Sequence, residues 1–176
     1  MLRENEEDWR KWPWETVRRL GLTLLAVAVL LLLGAIPFHL GRLGEIRPAF
    51  LLIAVYYWAV MRPETLPPLF TFLAGIALDL LAGYPLGMNA LTLVAAQWIT
   101  RVQRKFLLGQ PFAVIWAGLA IEALAAGILQ WALFSLFYLN LMSIRPALMS
   151  ALLTAIVFPL TVPPLAALNR LLVRTV

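Results

Sequence analysis

The stretch from Gly21 to Phe38 runs eighteen residues without a charge, and Pro111 to Leu139 runs twenty-nine with only one, Glu122. Uninterrupted apolar runs of this length limit a chain to few environments, because about 20 such residues match the hydrocarbon thickness of a bilayer. The rest of the composition agrees. Hydrophobic residues make up 62% of the 176 and charged residues only 13%, against about 25% charged in an ordinary soluble domain. The expected fold class is therefore all-α, an integral membrane bundle. Residues 1–20 form a polar segment and 21–176 the membrane domain.

Six spans are expected, at about 21–38, 46–61, 67–81, 86–100, 111–139 and 146–168. The first is read as a retained helix, since its core is longer than that of a cleaved signal and lacks a small-residue cleavage site. The second is short: Pro48 to Met61 rises about 21 Å as a helix. It therefore needs Leu43 to Arg47 as well, or a thinned bilayer. Pro67 and Pro68 suit the first turn of the third, and Gly83-Tyr84-Pro85 makes a tight turn into the fourth. A basic loop with Arg101, Arg104 and Lys105 precedes the fifth. Pro159, Pro163 and Pro164 are expected to kink or break the sixth.

Lys and Arg set the orientation. With the N-terminus inside, eleven fall on the inner side and three, Arg42, Arg47 and Arg145, on the outer. Both termini are thus expected in the cytoplasm. The net charge of +5 follows this loop bias and not a phosphate-binding stripe, so no nucleic-acid partner is expected. Trp9, Trp12 and Trp14 beside Arg10, Lys11, Arg18 and Arg19 fit a segment lying on the inner leaflet or one binding a cytoplasmic protein. The absence of cysteine excludes disulfides, thiolate metal sites and S-palmitoylation.

Two acidic residues, Asp79 and Glu122, fall inside apolar spans, where an ionisable group is a functional candidate. A central Asp costs about 2.5–3.5 kcal/mol, nearly cancelling the roughly 0.3–0.6 kcal/mol gained from each Leu, Ile and Phe of that span. Asp79 either caps the next helix through loop amides or serves a functional role. Glu122 either hydrogen-bonds Gln97, Asn89 or Gln130 as a packing residue, or takes part in transport or a relay. The repeat Ala147, Ala151, Ala155 and the small residues Ala123 and Gly127 allow close helix approach, within the bundle or against a partner. No nucleophile elbow, phosphate loop or metal-ligand spacing occurs, and the single histidine, His39, stands alone. No enzyme activity, metal or cofactor is expected.

The most specific stretch runs Gly75-Ile76-Ala77-Leu78-Asp79-Leu80-Leu81-Ala82-Gly83-Tyr84-Pro85-Leu86-Gly87-Met88-Asn89-Ala90. It resembles the G-x-x-x-D-x-x-x-G-x-P-L-G stretch of the bacterial rod shape-determining MreD family, with Gly75, Asp79, Gly83, Pro85, Leu86 and Gly87 at the motif positions. The likeness covers roughly Pro48 to Val176. It implies a non-enzymatic elongasome subunit of the inner membrane. Such a subunit binds MreC and is linked through it to MreB, RodA and a penicillin-binding transpeptidase in lateral peptidoglycan synthesis. It also implies a fold like the S components of energy-coupling-factor transporters. From that comes an alternative function, a vitamin or small-molecule binder with Asp79, Asn89 and Glu122 lining a pocket.

Overall fold

A computed structural model describes residues 21–23, 25–34, 38–39 and 45–173. The Trp-rich segment, the end of the first span and the side chain of His39 lie outside the described residues. The described residues form six helices: α1 (Gly21–Gly34), α2 (Phe50–Met61), α3 (Pro68–Ala82), α4 (Met88–Leu107), α5 (Phe112–Phe137) and α6 (Arg145–Val173). A two-residue antiparallel pair, β1 (Phe38–His39) with β2 (Glu45–Ile46), joins α1 to α2. Two helical stretches, Phe112–Phe137 and Arg145–Ala167, are long and apolar enough to cross a membrane. That is fewer than the six spans expected, since α1, α2 and α3 are shorter and α4 carries Gln97 and three basic residues toward its end.

The bundle is apolar on its outer faces, and several polar side chains are buried within a mainly apolar core. Only 17% of the most apolar stretch of α5 and 22% of that of α6 are buried, so neither is the core helix of a soluble domain. Leu80, Trp98, Ile121, Leu152 and Leu160 project outward. Thr71, Asp79, Gln97, Thr100, Glu122 and Thr154 are buried instead. An exterior of this kind, too apolar for water, fits lipid.

α2 is the exception. Its sequence FLLIAVYYWAVM is apolar on every face, and Leu51 to Val60 are all buried, as a helix without a polar side requires. It starts at Phe50 and not near residue 46, because Pro48 disfavours helical backbone in the residue before it. Its twelve residues rise only about 18 Å. Both ends are held by other helices. At one end Ala49 N–H donates to Thr154 Oγ1 at 2.9 Å, and Ser150 Oγ donates to Arg47 O at 2.6 Å. At the other, Arg104 Nε donates to Val60 O at 2.9 Å, Arg101 donates to Pro63 O and Leu66 O, and Gln97 Nε2 donates to Leu66 O at 2.7 Å. The expected basic loop is therefore the last part of α4. Its guanidiniums reach the orphan carbonyls past the end of α2, and the helix continues to Leu107.

α5 and α6 lie antiparallel along a seam of small residues. An added side chain on Gly127 would meet Ala147 O at 3.2 Å, and Ala151 and Ala155 are buried. The prolines expected to kink or break the sixth span do not break it and lie inside a continuous helix. Pro159 has no N–H to donate to Ala155 O, four residues back; Trp116 Nε1 of α5 donates to that oxygen instead, at 2.8 Å.

α3 and α4 approach most closely at Gly75. A Cβ there would overlap Ala90 Cα and lie 2.6 Å from Ala90 N, and neither backbone atom can move without shifting α4. Gly75→Ala should therefore destabilise the protein by about 2–3 kcal/mol, the upper part of the overpacking range, in denaturant titration of the detergent-solubilised protein. Unchanged stability would contradict this packing.

Candidate functional site

The turn from α3 into α4 is organised by Asp79. Its backbone oxygen accepts the N–H groups of Gly83 and, at 2.9 Å, Tyr84, which closes α3. Its side chain reaches across the turn. Oδ2 accepts Gly87 N–H at 2.8 Å, and Oδ1 accepts Asn89 N–H at 3.0 Å and Asn89 Nδ2 at 2.7 Å. One residue thus ends one helix and begins the next, satisfying α4 amides that have no partner within the helix. A negative side chain also suits the positive end of the α4 dipole. The residue is fully buried, and such a group needs its hydrogen bonds.

The other motif residues serve the same turn. Gly83 and Gly87 have φ of 68° and 98°, left-handed values that a side chain would strain. Pro85 O accepts Met88 N–H at 3.4 Å. Leu86 is different. It is 67% exposed and takes no part in the turn's hydrogen bonds.

From Asp79 the network continues inward. Asn89 Oδ1 accepts Gln130 Nε2 at 3.0 Å, so Asp79, Asn89 and Gln130 link α3, α4 and α5. Glu122 belongs elsewhere. Its two oxygens lie 2.7 and 2.6 Å from the Thr100 hydroxyl, which donates to it and is also 3.0 Å from Ala96 O. None of Gln97, Asn89 and Gln130, the expected partners, bonds to it; Gln97 instead holds Leu66 O. Thr100 carried no local sequence signal, because the partnership depends on how α4 meets α5. The same is true of Ser150 and Thr154, which act on residues more than a hundred positions away.

A cavity of about 370 Å³ lies at the end of the bundle that carries the Asp79 turn. The start of α2, the first turns of α4, the second half of α5 and the first half of α6 line it, with Gly34 of α1 and Leu78 and Ala82 of α3. Asn89 lines it; Asp79 and Glu122 do not. The three polar residues considered for a pocket are thus not brought together. Among the described residues, no group of three or more His, Cys, Asp or Glu side chains could hold a metal ion.

Asp79→Ala would leave three N–H donors of Gly87 and Asn89 without an acceptor, at about 1–3 kcal/mol each where buried. A loss on the order of 3 kcal/mol is expected in denaturant titration. Asp79→Asn, which keeps one acceptor oxygen, should lose less. Equal stability of Asp79→Ala and the native protein would show that the turn does not rely on this side chain.

The family model described as rod shape-determining protein MreD matches residues 16–171. The match reaches further toward the N-terminus than the resemblance read from the motif. Neither curated proteins nor solved structures gave a match. The matched region spans nearly the whole chain and includes every element described above apart from the last two residues of α6. The protein therefore belongs to the MreD family of rod shape-determining membrane proteins.

Proposed function

We propose that the protein is a non-enzymatic scaffold of the elongasome, which binds MreC and so helps direct peptidoglycan synthesis along the cell cylinder. The observation that carries this reading is the family match over residues 16–171. The use made of the polar side chains supports it: Asp79, Gln97, Arg101, Arg104, Ser150 and Thr154 all hold backbone groups of neighbouring segments. They build a frame for display.

A shallow groove on the outer face of α3 and α4 is the surface we assign to MreC. It is lined by Phe72, Leu91, Val94, Ala95 and Trp98, with Gly87 at one end. Small residues at a membrane groove let a second helix approach closely, and one transmembrane helix is the occupant this shape suits. Leu86, exposed at the tip of the turn above Gly87, extends the apolar surface past the end of α4.

In this reading the chain crosses the bacterial inner membrane six times with both termini in the cytoplasm. The end carrying Arg101, Arg104 and Lys105 then faces inward, and the end with the Asp79 turn and the cavity faces outward. The excess of Lys and Arg on the inner side supports this direction. RodA, a penicillin-binding transpeptidase and MreB are reached through MreC.

Depletion from a rod-shaped host should give rounded cells, and the native protein should co-purify with MreC. Ala95→Phe, which fills the groove from the lipid side, should reduce MreC recovery by at least about tenfold, or 1.4 kcal/mol, at unchanged stability. Normal rods after clean depletion would reject the scaffold reading; undiminished recovery with Ala95→Phe would reject the groove.

A further inference from the structure

The cavity at the Asp79 end is long, narrow and graded in polarity. It runs beside α5 from Ala123 to Phe134 and beside α6 from Pro146 to Thr154, about 16 Å and 12 Å of helix. Its volume of about 370 Å³ lies within the range of small-molecule sites. Spread over that length, it gives room for one extended alkyl chain and not for two. Away from the turn its walls are Leu52, Leu93, Ala123 and Ala151, all buried. The hydroxyl hydrogens around it are already used: Thr92, Ser150 and Thr154 donate to Met88 O, Arg47 O and Ser150 O.

Nearer the turn, one side chain keeps unused hydrogen-bonding capacity. Asp79 accepts Asn89 Nδ2 at 2.7 Å, so Asn89 presents Oδ1 to α5 and accepts Gln130 Nε2 there at 3.0 Å. The Gln130 amide is thereby held in one orientation. Its Oε1 has no partner among the described residues and is not sealed within the packing, and Gln130 lines the cavity. An amide nitrogen carries two hydrogens, so Gln130 offers a ligand one donor and one acceptor. Charge is not on offer. Arg47, the one charged residue among the described lining residues, is already engaged, and the Tyr84 ring 5.8 Å from its guanidinium carbon is one of its contacts. No carboxylate stands in the described lining. A charged ligand would lose its water without an unspent counter-charge to replace it, whereas an uncharged group that donates and accepts is met by Gln130.

We propose that this cavity binds a single-chain amphiphile with an uncharged head, its chain among α2, α5 and α6 and its head on the Gln130 amide. The cavity shares no lining residue with the α3–α4 groove, so the site stands apart from the scaffold reading and does not depend on the groove's occupant. A hydroxyl head and a carboxamide head share this chemistry, and the test treats them as two arms.

The test uses the full chain in phosphatidylcholine nanodiscs, with tritiated dodecanol as probe and empty nanodiscs as reference. Saturable binding of one probe per chain is expected above the reference. Dodecanamide should compete; dodecanoate, dodecyltrimethylammonium and acetamide should not. The stronger of dodecanol and dodecanamide identifies the head. Dodecane, which has the chain without a head, should compete at least about tenfold more weakly than dodecanol. Gln130→Leu should weaken dodecanol binding by a similar factor and leave the competition by dodecane unchanged, a split that a general loss of packing would not give. If that variant does not fold, the comparison of dodecane with dodecanol decides the role of the head. Ala126→Phe, which fills the cavity, should abolish binding with the fold retained by thermal unfolding, and Ala82→Phe, at another part of the wall, takes its place if it does not fold. Binding no greater than in empty nanodiscs would overturn the proposal. So would competition by dodecane or by either charged amphiphile equal to that of dodecanamide, or unchanged dodecanol binding in Gln130→Leu or in the filled variant.

Discussion

The bundle depends on α2 being held at both ends by side chains of other helices. A backbone polar group left unpaired in hydrocarbon costs several kcal/mol, so irregular backbone at membrane depth survives only where protein encloses it. α2 is twelve residues long, and each of its ends runs into non-helical chain. Thr154 and Ser150 of α6 bond to the chain that enters it, and Gln97, Arg101 and Arg104 of α4 bond to the chain that leaves it. Tyr56 adds a third tie from its middle, donating to Ile115 O of α5 at 2.9 Å. This short segment is thus enclosed, with the chain on either side of it bonded to neighbouring helices.

Polar side chains in this protein mainly complete another segment's backbone. Asp79 does so between α3 and α4, and Trp116 does so for the carbonyl left free by Pro159. This division of labour explains how a chain with so few charges keeps several of them inside. Most sit where backbone hydrogen bonding would otherwise be incomplete, and the outward faces are left apolar. The Glu122 and Thr100 pair ties one side chain to another between α4 and α5, which the frame needs less obviously than the rest.

Much of the helical layout was legible in the sequence because apolar runs and prolines mark it locally. The Pro68 start of α3, the Pro111 boundary of α5 and the Gly83 to Gly87 turn are examples. Basic residues were less informative. Arg101 and Arg104 mark where hydropathy falls, which is not where α4 ends, because their side chains reach carbonyls in the last turn of α2 and beyond it. Pro159 does not break α6, and the carbonyl it leaves free is bonded by a tryptophan forty-three residues earlier in the chain. The cavity was not legible at all. It arises where several helices meet, and of its polar residues only Tyr84 and Asn89 belong to the motif stretch.

The enclosure of α2 can be measured directly, because the chain has no cysteine and single cysteines can be introduced at will. Ala54 and Ala59 of α2 are compared with Trp98, Ile121 and Leu152, using a membrane-dissolved maleimide and a membrane-impermeant one on the protein in native membranes. The structure predicts that the α2 positions react with neither reagent until the protein is unfolded, whereas the other three react with the membrane-dissolved one. Labelling of Ala54→Cys and Ala59→Cys from the lipid phase as fast as Leu152→Cys would place α2 at the periphery and contradict the account.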